Sequence, residues 1–261
     1  MPPNTKDKLI AALKAIAQRG WIKNTREGND GGVGNTLEDL LGIEENNLPI
    51  PNLAEWELKT QRANTTSLTT LMHTEPSPRA IKFVPQLFLP NYGWPHRKAG
   101  TKYPDDEKSF RQTIHANSSS DRGFMVKIDR KDRKILISFD HSKVAERHAD
   151  WLKQVEANVG LDELSPQPYW GFDDLGHAAG TKLLNCFYVQ AQVRRQNKKE
   201  FYHYNKVTML QKFSFEGMLE ELNVGNILID FDARTGHNHG TKFRMKQNCL
   251  PNLYEQATAI L

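Results

Sequence analysis

The sequence predicts a mixed α/β (α+β) protein in which antiparallel hairpins dominate the sheet and helices flank it. Three observations support this class. Residues 5–19 repeat apolar side chains at helical spacing and end at Gly20, which predicts an amphipathic helix. Apolar and polar side chains alternate over residues 54–61 and 67–72, as they do in strands. Strand-like segments also flank short polar connections such as DRKDRK and QNKK, which is typical of hairpins.

The residues that flank the first two helices predict where these helices begin. Thr5 or Asn4 is expected to cap the first helix. After the glycine-rich turn GNDGGVG, Thr36 is expected to cap a second helix, with Asp39 completing a capping box. That helix would carry Glu38 in its first turn. The glycine-rich turn is not a P-loop, because no Gly-Lys-Ser/Thr follows it.

The rest of the chain is predicted to form short strands and one further helix. Residues 76–108 are rich in proline and lack periodicity, so we expect an irregular arm outside the core. FEGMLEEL is predicted to be a short helix. The predicted strands are FRQTIHA, GFMVKIDRK and KILISFD, joined by NSSSDR and DRKDRK as hairpin loops, then LLNCFYVQAQVRR and KEFYHYNKVTML, and finally NILIDFDAR as the last buried strand.

Length and charge limit the partners that the chain can bind. At 261 residues it can form one large domain or two lobes around a cleft. Its 35 basic residues nearly match its 31 acidic ones, for a net charge of +4, so any contact with a polyanion must come from local clusters. Such clusters lie in residues 122–134, 194–199 and 242–246. Each fits either a phosphate contact or a solvated hairpin face.

Cysteine usage and the N-terminal segment predict the compartment. The two cysteines, Cys186 and Cys249, are far apart and have neither metal-ligand spacing nor a disulfide pattern, which predicts reduced thiols. The first residues lack the apolar run and cleavage site of a secretory signal, and no stretch is apolar enough to span a bilayer. We therefore expect a soluble cytoplasmic protein with no membrane partner.

The segment AEWELKT holds the main candidate for chemistry. Strand alternation places Glu55, Glu57 and Lys59 on one face and Trp56 and Leu58 on the other. Glu57 and Lys59 would then stand side by side, an acid able to hold a divalent metal beside a fixed cation. Phosphodiester hydrolysis uses this combination, because the metal lowers the pKa of a bound water and the lysine stabilises developing negative charge. The same pattern also fits a solvated charge pair between strands.

Asn52 departs from the pattern of an active nuclease. Metal-dependent nucleases with a Glu-x-Lys strand usually carry an aspartate a few residues ahead of the glutamate, and Asn52 stands at that position here. An amide binds Mg²⁺ through one neutral oxygen and adds no charge. The site is therefore predicted to lack its principal metal ligand. Either the chain was inactivated, or it cuts poorly or not at all by nature.

A series of segments, in order along nearly the whole chain, matches a known family, although residues 76–165 align loosely. These segments are Gly32-Val33-Gly34, Leu37-Glu38-Asp39, Glu45-Asn46-Asn47, Asn52, Glu57-Leu58-Lys59, Leu68, Thr70-Leu71, His73, Tyr169-Trp170-Gly171-Phe172-Asp173, His237-Asn238-His239-Gly240 and Phe243-Arg244. On these segments the chain resembles the MvaI/BcnI family of type II restriction endonucleases, relatives of the mismatch-repair nicking enzyme MutH. The combination is specific, whereas no single segment in it is.

The resemblance implies a restriction-endonuclease-like PD-(D/E)XK nuclease that binds duplex DNA as a monomer in a cleft between two lobes. We expect a catalytic lobe in residues 1–75 and 120–225 and a recognition lobe in residues 76–119 and 226–261. The family uses Mg²⁺ and cuts one strand at a time within pseudopalindromic five-base-pair sites of the form CCxGG. The resemblance also implies a cognate DNA methyltransferase in the host, which is not a physical partner.

The same resemblance assigns the catalytic residues. Asn52 falls on the metal-binding aspartate of the family, Glu57 on its second metal-binding acid and Lys59 on its catalytic lysine. Glu38 falls on an additional helix acid that orients the lysine or an outer-shell water. Asn52 in place of the aspartate implies lower metal affinity and turnover, with DNA binding retained.

The segment GHNHGTKFR is the main candidate for reading bases. It contains His237, His239, Lys242 and Arg244, with glycines that let the backbone approach a groove. An arginine can pair with O6 and N7 of guanine in the major groove, and a histidine can donate to the same atoms. Two alternatives stay open, since a His-x-His pair also suits zinc and the segment could be an ordinary polar loop.

Four further residues are candidates for DNA contact. His73 ends an apolar strand, where a histidine is often structural. Some family members that read a central C·G pair have a histidine here, so His73 favours a CC(C/G)GG target over CC(A/T)GG. Thr113, His115 and Arg122 lie on the predicted central hairpin and could reach a groove or phosphates.

Three functions are consistent with the sequence: a site-specific endonuclease weakened at Asn52, a DNA-binding protein without cleavage, and a MutH-type nickase that responds to methylation state and partner proteins. The match over residues 67–73 and 237–244 favours a restriction enzyme over a nickase. Asn52 is the residue that separates the first function from the second.

Overall fold

In a computed structural model of the chain, segments with helical periodicity form helices and alternating segments form strands, as predicted. The structure describes residues 3, 5–26, 31–43, 51–52, 55–63 and 65–261. The segment Glu45-Asn46-Asn47 and the first part of the glycine-rich turn lie outside the described residues. Asn4, the alternative cap of the first helix, also lies outside them.

The α-helices are α1 (Lys6–Gln18), α2 (Gly32–Leu41), α3 (Ala149–Val159), α4 (Phe172–Lys182) and α5 (Phe215–Asn223). A π-type helix covers Val84–Tyr92. The strands are β1 (Ile22–Lys23), β2 (Trp56–Arg62), β3 (Thr69–His73), β4 (Trp94–Pro95), β5 (Lys108–Ile114), β6 (Arg122–Asp129), β7 (Lys134–Val144), β8 (Tyr169–Gly171), β9 (Asn185–Gln196), β10 (Lys199–Phe213), β11 (Ile227–Arg234), β12 (His237–Met245) and β13 (Tyr254–Ala259). Among the helices of the described residues, none combines the length and the apolar character that a bilayer span requires.

By their contacts, the residues group into two compact units. Unit 1 consists of Met1–Thr69, His177–Met218 and Met245–Leu261, and unit 2 of Thr70–Gly176 and Leu219–Arg244. The lobes predicted from the sequence have other boundaries. Their division into catalysis and recognition stays a prediction.

Unit 1 is built on a mixed sheet with the order β1-β10-β9-β2, and β13 also pairs with β10. The β9–β10 hairpin is confirmed. Its turn residues Asn197 and Lys198 have φ values of 51° and 62°, the left-handed conformation that a two-residue hairpin turn requires. β2 pairs with β9 in parallel, whereas the β9–β10, β1–β10 and β10–β13 pairs are antiparallel. The predicted mixed, largely antiparallel sheet flanked by helices is therefore confirmed.

Helix α1 packs its apolar face on this sheet, and Thr5 is its N-cap, with its side chain accepting a hydrogen bond from Lys8 N. The prediction for α2 is wrong in its start. The helix begins at Gly32, and Thr36 lies inside it, fully buried, beside Asn24. The early start follows from close packing, since a Cβ on Gly32 would lie 2.8 Å from Asn24 Nδ2. Asp39 pairs with Arg26 at 2.8 Å and does not complete a capping box.

Unit 2 contains two sheets, with the orders β3-β12-β11-β5-β4 and β6-β7-β8. The β6–β7 hairpin is confirmed. NSSSDR is not a hairpin loop, because β5 pairs with β11 and β4 and therefore lies in a different sheet from β6. NILIDFDAR forms the buried strand β11, but it is not the last strand, since β12 and β13 follow it.

The prediction that residues 76–108 lie outside the core is also wrong. Phe88, on the helix Val84–Tyr92, is fully buried. Its ring stacks on Phe110 with centroids 4.8 Å apart and meets Phe231 edge-on at 5.5 Å. Apolar aromatic side chains separated by prolines thus form the centre of a core, although their spacing has no regular period.

Candidate active site and DNA-binding face

Strand β2 separates core residues from charged ones by simple alternation. Trp56 and Leu58 are buried in the apolar core of unit 1. Glu57 and Lys59 lie on the opposite face, with Glu57 Oε1 2.8 Å from Lys59 Nζ. The predicted side-by-side placement of acid and lysine is confirmed, while their roles stay predictions.

A second lysine completes this cluster, and sequence reasoning missed it. Lys182 is the last residue of α4, and its Nζ lies 3.2 Å from Glu57 Oε2. The cause is topological. β9 follows α4 directly and pairs in parallel with β2, with Glu57 opposite Cys186. The residue that ends α4 is thereby brought to Glu57, and nothing in the local sequence around Lys182 signals this.

Asn52 folds back onto the start of β2. Its backbone N–H donates to Glu57 Oε2 at 3.1 Å, and its side-chain Oδ1 accepts a hydrogen bond from Leu58 N at 3.2 Å. The predicted proximity of Asn52 and Glu57 is confirmed. Among the described residues, Glu57 therefore accepts a hydrogen bond from the backbone of Asn52 and forms ion pairs with Lys59 and Lys182.

These contacts determine whether the residues present have oxygen atoms available for a divalent cation. Mg²⁺ prefers oxygen ligands, usually including one or two carboxylates. The cluster offers one carboxylate, Glu57, whose two oxygens are each held by an ammonium group, and one neutral amide oxygen, which is bonded to Leu58 N. In the described part of the chain, no three histidine, cysteine, aspartate or glutamate side chains are placed to share a metal ion. The present set does not fit a tightly held Mg²⁺.

Burial differs among the charged groups of this cluster. The side chain of Glu57 is 3% exposed, whereas those of Lys59 and Lys182 are each 13% exposed. The carboxylate is therefore more fully covered than the side chains of the two lysines. Beside Glu57, burial raises the pKa of the Cys186 thiol to about 12, so this cysteine is a neutral, buried packing residue.

Glu38 lies on α2 and is half-buried. Its backbone carbonyl accepts a hydrogen bond from Ile43 N at the end of the helix. The predicted role of its carboxylate toward the lysine stays a prediction.

The predicted base-reading segment forms strand β12 of unit 2 rather than a loop. Its two histidines, His237 and His239, are exposed and have their Nε2 atoms 3.1 Å apart. His73 is exposed at the end of β3, the strand next to β12. Gly240 of β12 has φ +77°, and a Cβ on it would be 3.7 Å from the His73 ring. The positive φ favours glycine at this position, which lies in van der Waals range of His73.

Three neighbouring strands of unit 2 form a polar face. Asp230 of β11 accepts from Thr113 of β5 at 2.8 Å and from Arg244 of β12 at 3.2 Å. One step along the same face, Arg111 pairs with Asp232 at 3.0 Å. Sequence reasoning missed both aspartates. The alternation in ILIDFDAR was the available signal, because it places them opposite the buried apolar residues of the strand.

Three other predicted contacts have different environments. Lys242 is half-buried on β12, and His115 is half-buried directly after β5. Arg122 lies 3.9 Å from the centroid of the Trp94 ring and 5.5 Å from that of Trp151, and burial lowers the pKa of its guanidinium. These contacts are those of a packing residue.

Restriction-endonuclease-like nucleases combine a mixed sheet flanked by helices with an acid and a lysine paired on a Glu-x-Lys strand. This chain has both features. Residues 10–254 match the model of the MvaI/BcnI restriction endonuclease family. The chain therefore belongs to the MvaI/BcnI restriction endonuclease family, whose members are site-specific type II DNA endonucleases.

Two solved structures share this fold. A restriction endonuclease MvaI-cognate DNA substrate complex has a TM-score of 0.77 and 23% sequence identity, covering 98% of each chain. Restriction endonuclease MvaI in the absence of DNA has a TM-score of 0.54 and 22% identity, covering 97% of this chain and 96% of the other. A comparison with curated proteins found no match. Proteins of the family generally use a divalent metal. Asn52 therefore bears directly on metal binding by this chain.

Proposed function

We propose that this chain is a site-specific endonuclease of duplex DNA whose cleavage is weakened by Asn52. Its target is a pseudopalindromic CCxGG-like site, with CC(C/G)GG preferred because His73 is present. It acts in the cytoplasm as a monomer and cuts one strand at a time. Unit 1 carries the catalytic residues and unit 2 carries the recognition residues.

The pairing of Glu57 with Lys59 is the observation that carries this proposal. An ammonium group held 2.8 Å from a covered carboxylate has a defined position, so it can stabilise negative charge on a scissile phosphate without reorganising. Lys182, held on the other oxygen, adds a second positive charge at the same place. Glu38, on α2, is proposed to orient this group of charges.

Asn52 limits the metal chemistry of the site. Mg²⁺, the proposed cofactor, would supply a bound water of lowered pKa and neutralise phosphate charge. Aspartate has nearly the same shape as asparagine. In Asn52→Asp, one oxygen could keep the bond to Leu58 N, and the other would provide the second carboxylate oxygen beside Glu57. Mg²⁺ is therefore proposed to be held by residue 52 and Glu57 in that form.

Recognition is proposed to use the polar face of unit 2. Arg244 is positioned by Asp230, as a side chain that pairs with guanine must be. His73, His237 and His239 are exposed and can donate to base edges. Lys242, Thr113 and His115 are proposed to contribute groove or phosphate contacts. Arg122, whose guanidinium lies over the Trp94 ring, is proposed to be a packing residue instead.

Asn52→Asp tests the proposal directly. With Mg²⁺, this variant is expected to cut a random-sequence DNA library at CCxGG sites, with a rate roughly 10²–10³-fold above that of the unchanged chain, the range for restoring one electrostatic stabiliser. Sequencing of the ends reports activity, target and cut position together. Lys59→Ala in the same background should abolish cutting.

Two outcomes would contradict this assignment. An unchanged rate in Asn52→Asp would remove residue 52 from the site. Strong Mg²⁺-dependent cutting by the unchanged chain would show that the metal ligands lie elsewhere.

The second candidate function is a site-specific DNA-binding protein without cleavage, which the neutral Asn52 favours. It predicts target binding together with no cleavage products even at long times.

A further inference from the structure

We propose that Lys59 and Lys182 form a phosphate-binding site that holds the DNA backbone without a divalent cation. The chain would then bind its target as tightly in EDTA as in Mg²⁺. This inference rests on the proposed function, since it assumes that unit 1 meets a DNA phosphate, and it states how the site holds that phosphate.

The charges of the cluster support this site. Glu57 contributes one formal negative charge and the two lysines contribute two positive ones, while Asn52 contributes none. The cluster therefore has an excess of one positive charge. A phosphodiester carries one negative charge, so it is attracted rather than repelled. An aspartate at position 52 would cancel that excess, and a cation would then be needed to favour the phosphate.

The geometry places both ammonium groups where one phosphate can reach them. Each is held on a different oxygen of the same carboxylate, at 2.8 Å and 3.2 Å. They therefore share one carboxylate. Lys59 projects from β2 and Lys182 from the end of α4, so regular elements fix both.

Burial differs between the carboxylate and the two lysines of the site. Glu57 is almost completely covered, with 3% of its side chain exposed, whereas the two lysines are each 13% exposed. The lysine side chains are therefore more open to an approaching phosphate than the carboxylate is. Glu57 is thus a support that positions two cations.

Binding with and without metal is the first test. Fluorescence anisotropy with a labelled CCxGG duplex is expected to give Kd values for the unchanged chain that agree within about threefold in EDTA and in Mg²⁺, because the phosphate contact needs no bound ion. Asn52→Asp should bind roughly tenfold more weakly in EDTA and recover in Mg²⁺, because a like charge now faces the phosphate. Gln18→Glu, the same change on the exposed face of α1, is the matched control and should behave like the unchanged chain.

Lys182→Met is the second test. It is expected to weaken binding roughly tenfold for target and non-target duplexes alike and to reduce the slope of log K against log salt by about 1, the signature of one lost phosphate contact. Lys182→Arg should retain affinity and slope, because it keeps the charge. The control is Lys14→Met, which removes an exposed lysine of the same unit and should change neither.

The outcomes separate this inference from the proposed function. Target binding that requires Mg²⁺ in the unchanged chain would overturn the phosphate site while DNA binding stood. An unaltered salt slope in Lys182→Met would also overturn it. An absence of binding in both buffers would overturn the proposed function as well.

Discussion

At the scale of single residues, Asp230 shows how a carboxylate can hold a neighbouring arginine in one orientation. Its side chain is 13% exposed and lies between Thr113 and Arg244, each of which donates to a different oxygen. An arginine whose guanidinium is already held by a carboxylate loses less conformational entropy when it pairs with guanine, because the group is already oriented. We therefore propose that Asp230 positions Arg244 and need not touch DNA itself.

Arg244→Ala and His73→Ala are expected to lower discrimination between a CCxGG duplex and one with an altered base pair. The expected loss is roughly 1–3 kcal/mol for each base contact removed. Asp230→Asn should shift discrimination in the same direction by less, since it leaves the arginine present. Competition binding with matched and altered duplexes measures the effect. Equal loss of affinity for every duplex would instead identify these residues as phosphate clamps.

At the scale of elements, the unit 1 sheet is tied together by a charged network. Glu200 of β10 pairs with Arg62 of β2 at 3.0 Å and with Arg195 of β9 at 2.9 Å, and it accepts from the Tyr202 hydroxyl at 2.8 Å. Burial raises the pKa of Glu200, but the hydrogen bonds from Tyr202 and Arg195 lower it by more, so this pKa lies below its ordinary value. The network therefore stabilises the ionised form and links three strands.

Glu200→Gln is expected to lower the free energy of unfolding by about 1–3 kcal/mol at pH 7, as for a lost hydrogen-bonded charge. A lowered folded-state pKa gives stability that is present above the unfolded-state pKa, near 4.3, and is lost as pH falls through the folded value. The difference between variant and unchanged chain should therefore shrink as the pH is lowered from about 5 to 3.

Urea unfolding at several pH values measures this dependence. The matched control is Glu255→Gln, because Glu255 and its partner Lys212 are both more than half exposed. Its effect should stay within about 0.5 kcal/mol at every pH. If the loss of unfolding free energy in Glu200→Gln did not change with pH, the shape of the Glu200 side chain, rather than its charge, would explain its role.

At the scale of the whole molecule, one chain carries one Glu57–Lys59 pair. A monomer can therefore cut only one strand in a chemical step. On a supercoiled plasmid with a single CCxGG site, Asn52→Asp with Mg²⁺ is expected to accumulate nicked circles before linear DNA. Gel electrophoresis over time and sedimentation of the DNA complex measure the order of products and the stoichiometry. Direct conversion to linear DNA with a steep dependence on protein concentration would indicate a dimer.

Some elements were predictable because their signals are local. The apolar period of α1, the alternation along β2 and the polar turn between β9 and β10 each depend on neighbouring residues. The start of α2 was not predictable, because Gly32 is required by contact with Asn24 and Tyr202. The helix around Phe88 was missed because its burial comes from Phe110 and Phe231, which are distant in the chain.

The sequence by itself determined that Glu57 and Lys59 share a face of one strand, since side chains two residues apart in a strand point the same way. It also determined that Asn52 brings no charge to that strand. Only the tertiary structure decided that Lys182 joins them and that Asp230 lies beside Arg244. Both contacts depend on which strands become neighbours, and strand pairing is set by packing over the whole chain, not by the residues around either side chain.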